Sequence, residues 1–173
     1  MFDRKKLTID KIEELKTLIE RSVFANENET KKLELQTSGL IKWNYNPKRE
    51  FKEGQAALFV FYSAYRNLEL LNFIKNNILN DKDEVVVSIH VNHFREASFS
   101  PAHRDRKTAM TYLVLLEEAE EGGRLLIENE DVNFKVGELI SFEGHTTLHE
   151  VTPVIKGKRK TLAIWCREKL SIM

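Results

Sequence analysis

From Glu84 onward the chain is a succession of short runs rich in β-branched and aromatic residues, each closed by charged or glycine-containing turns: VVVSIHVNHF, KTAMTYLVLL, RLLIE, VNFKV, ELISF, LHEVTPVI and KTLAIWCRE. Runs of this type and length read as strands, and so many in series close as an antiparallel β-sandwich or barrel. The first half is patterned differently. Ile9, Ile12, Leu15, Leu18 and Ile19 repeat at three-and-four spacing and predict a helix over 9–24, while Leu68, Leu71, Phe73, Ile74 and Ile78 predict a second over RNLELLNFIKNNIL. AALFVFYSAY reads as a buried strand, and residues 25–54, punctuated by Asn, Gly and Pro, as loops with up to one short strand. The fold class expected is mainly β with N-terminal helices (α+β), the helices buttressing one sheet whose other face lines a pocket.

A length of 173 residues suits one domain with one active site: a helical buttress and irregular substrate-side segment over 1–83 and a β core over 84–173. The 27 basic residues balance the 27 acidic ones, so no long-range field draws the chain to nucleic acid or an anionic membrane. Cys166 is the only cysteine, which excludes an intramolecular disulfide and fits a reducing, cytoplasmic setting. MFDRKKLTIDKIEELK has no apolar segment behind its basic residues, and no run reaches the ~18 apolar residues of a membrane span. The partners expected are a small-molecule or peptide substrate, with no nucleic acid and no membrane, and the protein is expected as a monomer or homodimer.

Chemistry concentrates in two places, His103-Arg104-Asp105 and the stretch GHTTLHEVTPVIKGKRKTLAIWCRE. Side chains two apart on a strand share a side, so His103 and Asp105 face one pocket while Arg104 faces away. His149 supplies a third ligand from another strand. Two imidazoles and a carboxylate on one face of a metal, with the remaining positions open, suit Fe(II) that must also bind a cosubstrate and O2; zinc is the second choice. After His149, a Lys156-Gly157-Lys158 turn is expected to make a hairpin that brings Arg159 beside the histidine. A planar guanidinium there is suited to a carboxylate of a dicarboxylate cosubstrate. Lys156, Lys158 and Lys160 read as a solvated basic turn.

About half the chain, from Val85 to Glu168, resembles the Fe(II)- and 2-oxoglutarate-dependent oxygenases of the prolyl 4-hydroxylase type. The resemblance is carried by His103-Arg104-Asp105, Gly122-Gly123-Arg124-Leu125, Val136-Gly137-Glu138-Leu139-Ile140-Ser141-Phe142, His149-Glu150-Val151-Thr152-Pro153-Val154, and Gly157-Lys158-Arg159 ending in Trp165. It implies a double-stranded β-helix (jelly roll, cupin-like), with His103, Asp105 and His149 as iron ligands and Arg159 on the C5 carboxylate of 2-oxoglutarate. It also implies Tyr112, Val114, Leu125 and Ala163 along the cosubstrate pocket and Trp165 in the barrel wall. The activity implied is a dioxygenase that couples decarboxylation of 2-oxoglutarate to succinate and CO2 with hydroxylation of a free amino acid, a prolyl or other peptidyl residue, or a small metabolite. Ascorbate is a supporting reductant. The rival readings are a cupin-like metal enzyme that does not use 2-oxoglutarate and a non-catalytic β-sandwich binding module.

Two departures from the family pattern bear on the cosubstrate. Phe94 stands where a tyrosine is frequent, so a phenol is lost unless His93 or Tyr112 supplies a donor, and Ala163 stands where a hydroxyl side chain sometimes accompanies the arginine. Intact Asp105 argues against a halogenase, which vacates that position. His145 reads as a pocket-rim or loop residue, and His90 and His93 as packing or surface residues, with His93 the nearer to the site. Arg95 and Arg106 read as a solvated face, and Arg104 as the same or as a contact for an acidic substrate at the mouth. Glu117–Glu121 reads as an exposed turn and Cys166 as a buried small side chain. In the irregular segment, Trp43, Tyr45 and Arg49 are the candidates for substrate contact.

Overall fold

The computed structural model describes residues 1–22, 58–61 and 68–167. Trp43, Tyr45, Arg49 and most of AALFVFYSAY lie outside the described residues. Helix α1 (Ile9–Arg21) begins where Thr8 accepts from Lys11 N, carries Asp10 in its first turn and Arg21 in its last, and buries Ile12, Leu15 and Ile19. Ile9, in the first turn, is exposed and outside the packed stripe. Helix α2 (Leu68–Asn77) buries Leu70, Phe73 and Ile74.

Twelve strands are described: β1 (Asp3–Lys6), β2 (Leu58–Phe61), β3 (Val85–Phe94), β4 (Ser100–His103), β5 (Met110–Glu117), β6 (Glu121–Gly122), β7 (Leu125–Ile127), β8 (Glu130–Asp131), β9 (Glu138–Glu143), β10 (His149–Val151), β11 (Val154–Lys156) and β12 (Arg159–Arg167). Six form one sheet in the order β1-β9-β5-β12-β3-β2, four form another in the order β4-β10-β7-β8, and β11 pairs with β6. Every pairing is antiparallel. Two sheets packed in this order make the double-stranded β-helix.

Alternation along β12 divides the core in two. Leu162, Ile164 and Cys166 join Ile89, Val91, Tyr112, Val114 and the buried faces of α1 and α2 on the outer side of the six-stranded sheet. Ala163 joins Phe94, Leu113, Leu115, Ile140 and Phe142, which pack against Leu125, Ile127, Val151 and Val154 of the facing strands. The helices therefore cover one face and leave the other for the site.

Three local expectations are corrected. VNFKV is not a strand: Asn133 takes a φ of 51°, which breaks the ladder, although Val132 and Phe134 still fill the inner core. LHEVTPVI divides at Pro153, which has no N–H to donate, into β10 in the four-stranded sheet and β11 on β6. The Lys156-Gly157-Lys158 turn accordingly closes no hairpin of β10 with β12; those strands belong to different sheets, whose inner side chains pack together. In addition, Asp3–Lys6, given no strand by its sequence, pairs along β9 as a highly charged edge.

Candidate active site

His103 ends β4 and His149 begins β10, and the two are directly paired in the ladder. Their rings lie 4.3 Å apart, centroid to centroid, and Phe142 packs against His149 at 4.7 Å. Each ring is fixed by the same device. His103 Nδ1 is 2.7 Å from the carbonyl of Pro101, and His149 Nδ1 is 3.0 Å from that of Thr147. A carbonyl only accepts, so Nδ1 carries the proton in both rings and Nε2 is turned elsewhere.

Both Nε2 atoms turn to Asp105. Oδ1 is 3.3 Å from His103 and Oδ2 is 3.5 Å from His149. Asp105 lies beyond the end of β4 rather than on it, held by a 2.8 Å hydrogen bond from its backbone N–H to Gly144 O. Its Oδ2 accepts from Thr111 Oγ1 at 2.7 Å. A Cβ on Gly144 would stand 2.7 Å from that same hydroxyl oxygen, so only glycine lets the 144 turn approach the aspartate.

Burial by itself would raise the Asp105 carboxyl, but contacts to His103 and His149, the charge of His149 and the Thr111 hydroxyl outweigh it and hold the group well below the usual carboxylate range. With the ring proton on Nδ1, each Nε2 turns a lone pair toward the carboxylate, an arrangement that calls for a positive charge between them. Protons supply it, and so does a divalent cation. The ligand atoms of His103, Asp105 and His149 lie within 4.8 Å of one another. Two imidazoles oriented by backbone carbonyls and a carboxylate oriented by a hydroxyl are what a facial Fe(II) site requires, so the donor set fits the metal.

At the other end of the inner face, Arg159 opens β12 opposite Phe94 and is 3% exposed. Its guanidinium lies 5.2 Å from the Phe94 ring centroid, and Nη1 donates to Thr161 Oγ1 at 2.7 Å. No carboxylate among the described residues reaches it within ion-pair distance, and burial lowers its pKa to about 10, which leaves it charged at neutral pH. Leu115, Gly123, Arg124, Phe134 and Arg159 line a pocket at this end together with Glu118, whose carboxylate is paired with Arg124 and Lys135. Gly123, at a φ of +61°, passes so close that a Cβ would stand 3.2 Å from Arg159 Cδ.

The remaining expectations divide by face. Leu125 and Ala163 lie in the inner cluster, whereas Tyr112 and Val114 pack in the outer cluster under the helices, which corrects their assignment to the cosubstrate pocket. The inner positions of β5 are Thr111, Leu113 and Leu115, opposite Trp165, Ala163 and Thr161. Tyr112 supplies no donor to the site: its hydroxyl donates to Glu84 Oε1 and accepts from Asn80 N. His93 shares the parity of Val91, and His90 is the inner histidine, packed edge-on against Trp165 at 4.4 Å and held to Ser88 Oγ at 2.7 Å. Burial drives the His90 pKa down to about 3 against the pull of Asp105, so the ring is neutral. His145 is exposed, with Nδ1 on Thr108 O, and Arg104 reaches Thr146 O through Nε.

Thr111 and Thr161 were missed by the sequence reading. Thr161 sits two beyond Arg159 on the same face of β12, and Thr111 next to Tyr112 on the opposite face of β5, but a threonine in a strand carries no signal of its own.

The sequence profile of the 2OG-Fe(II) oxygenase superfamily matches residues 80–167, which is just over half of the 173 residues and contains the whole constellation. The chain belongs to this superfamily. It is a 2-oxoglutarate- and Fe(II)-dependent dioxygenase, and its cofactors are Fe(II), 2-oxoglutarate and O2. The fold is shared with the viral collagen prolyl hydroxylase of Paramecium bursaria Chlorella virus-1 in its 2-oxoglutarate complex, at a TM-score of 0.65 and 20% identity over 97% of this chain and 96% of that one. A Pseudomonas putida prolyl-4-hydroxylase aligns at a TM-score of 0.58 and 18% identity over 97% and 92% of the two chains. A Trichoplax adhaerens prolyl hydroxylase, solved with a fragment of the hypoxia inducible factor oxygen degradation domain, aligns at 0.59 and 14% over 96% and 83%. No curated protein sequence matches the chain. Among the described residues, no helix is long and apolar enough to cross a membrane.

Proposed function

We propose that His103, Asp105 and His149 hold the iron, that Arg159 anchors the distal carboxylate of 2-oxoglutarate, and that the enzyme hydroxylates a prolyl residue of a peptide. The observation that carries the cosubstrate role is the buried Arg159 guanidinium, charged and without a carboxylate partner among the described residues, on the sheet that packs against the strands of His103 and His149. A buried cation is costly unless an anion compensates it, and a dicarboxylate reaching from the metal supplies one.

Bound iron and cosubstrate supply O2 activation and oxidative decarboxylation, giving succinate, CO2 and one oxygen atom for the substrate. The protein's residues orient these groups. Backbone carbonyls at Pro101 and Thr147 keep both Nε2 lone pairs pointed inward, and Thr111 turns the Asp105 carboxylate. Leu113, Leu115, Ala163, Ile140 and Phe142 exclude water along the inner wall. The fold likeness to three prolyl hydroxylases makes prolyl peptides the first substrates to test; free amino acids and small metabolites are the alternatives. The neutral charge balance and single buried cysteine support a cytoplasmic setting.

The deciding experiment measures succinate formed from 2-oxoglutarate with Fe(II) and ascorbate across a panel of prolyl peptides, other peptides, free amino acids and metabolites. Stimulation by prolyl peptides with a 16 Da gain on proline is expected. Stimulation by another class alone would replace the substrate, and an unchanged 2-oxoglutarate requirement in Arg159→Ala would remove the anchor.

A further inference from the structure

One polar side chain of the inner face is used neither by the metal triad nor by the guanidinium. Asn92 stands on β3 directly opposite Thr161 of β12, and Thr161 Oγ1 is the atom that accepts from Arg159. Residues directly opposite on antiparallel strands have Cβ atoms ~4.5–5.5 Å apart, within reach of an amide side chain. The parity of β3 fixes the direction. His90, two before, packs on Trp165 of the inner wall, and Phe94, two after, lies in the inner cluster under Arg159; Val91, between them, lies in the outer cluster. Asn92 is thus halfway between the layer that meets the metal triad and the layer that opens β12.

Asn92 Oδ1 is buried and has no hydrogen-bond partner among the described residues. Leaving a buried polar atom unmet costs ~1–3 kcal/mol, so a side chain kept in that state points to a partner that arrives with a ligand. Among the described residues no side chain stands within hydrogen-bond distance of Oδ1, and the one polar side chain directly opposite on β12, Thr161, is engaged with Arg159. An amide exchanges its two ends by rotation about its last torsion, so Asn92 can present the N–H pair of Nδ2 to the pocket. A carboxylate accepts at about four positions, of which a guanidinium fork fills two.

We infer that Asn92 is a cosubstrate-binding residue whose side-chain N–H donates to the distal carboxylate of 2-oxoglutarate beside Arg159. The inference rests on the Arg159 reading. It gives this chain a second donor in place of the phenol that Phe94 lacks, and the donor comes from β3 rather than from Tyr112.

The test uses the full chain loaded with Mn(II) under anaerobic conditions and titrated calorimetrically with 2-oxoglutarate and, separately, with 2-oxovalerate, which keeps the keto acid and lacks the distal carboxylate. Asn92→Ala is expected to weaken 2-oxoglutarate by about tenfold, the loss of one hydrogen bond to a charged group, with Mn(II) and 2-oxovalerate binding unchanged. Asn92→Asp, which keeps the shape and sets a negative charge against the carboxylate, is expected to weaken it further and guards against a folding defect in the alanine variant. Affinity for 2-oxoglutarate within twofold of the parent in both variants, while Arg159→Ala loses it, overturns the Asn92 role and leaves Arg159 standing. Equal losses for both keto acids also overturn it, since that is the signature of a disturbed wall. If Arg159→Ala retains full affinity, the anchor itself fails and the Asn92 role with it.

Discussion

Arg159 and Thr161 are joined on one face of β12 by a 2.7 Å hydrogen bond from Nη1 to Oγ1. Phe94 supports the same guanidinium from the neighbouring strand at 5.2 Å. The hydroxyl aims a side chain that burial alone leaves free to pivot. Thr161→Val keeps the shape and removes the acceptor, and a net hydrogen bond of ~1 kcal/mol corresponds to about a fivefold change in affinity. The KM for 2-oxoglutarate is therefore expected to rise about fivefold with kcat largely retained, read from succinate formation against cosubstrate concentration. An unchanged KM would show that Phe94 and packing fix the guanidinium without help.

Thr111 stands to Asp105 as Thr161 stands to Arg159, with Oγ1 donating to Oδ2 at 2.7 Å. Groups that orient metal ligands typically account for ~10–100-fold in metal affinity. Thr111→Val is expected to fall in that range in an anaerobic Mn(II) titration, and His103→Ala, Asp105→Ala and His149→Ala to lose binding altogether while keeping their strand content. Binding also weakens as pH falls, because protons compete for the ligand atoms the metal needs. A valine variant with parental Mn(II) affinity would assign Thr111 to packing alone.

The strand succession and the clustering of His103 with Asp105 were legible because both are written in local pattern: β-branched runs between turns, and a histidine two before an aspartate. What the pattern did not carry is parity. Counting Tyr112 and Val114 into the pocket slips β5 by one residue, and in a strand one residue exchanges the two faces. β5 gives no clue to the slip, since Thr111–Leu116 is buried on both sides, by helices on one and by the facing sheet on the other. Arg159 was expected beside His149 through a hairpin; the two strands instead lie in different sheets that pack together, an arrangement of distant strands that no turn signal encodes.

Tyr112 offers a direct check on that parity. Its hydroxyl bridges Glu84 Oε1 and the Asn80 N–H on the helix side of the sheet. Burial, and then the bond to Glu84, hold its pKa well above the usual phenol range, so it remains a neutral donor. Tyr112→Phe removes that donor from a half-buried carboxylate and is expected to cost ~1–3 kcal/mol of stability, visible as a lower Tm, with no change in 2-oxoglutarate affinity. A cosubstrate KM that rose several-fold with no loss of Tm would return Tyr112 to the pocket side.

Cys166 gives the pH dependence of the same buried layer. It is 1% exposed, and burial, with the nearby Glu84 charge adding to it, pushes the thiol up to about 12. The unfolded chain ionises the thiol near ~8.5, so the folded pKa is the raised one. Stability from this group is complete below pH ~8.5 and declines as pH rises toward the folded value, at up to ~1.4 kcal/mol per pH unit. Tyr112 adds a loss of the same sign only above ~10, where an unfolded phenol ionises. Between pH 8.5 and 10 the thiol therefore dominates this pair. Denaturant melts are expected to show the parent losing stability over that interval and Cys166→Ala, though weaker at pH 7.5, following a flatter course. Parallel declines in the two proteins would place the alkaline sensitivity elsewhere, and rapid thiol labelling of the folded chain at pH 8 would contradict the burial that drives it.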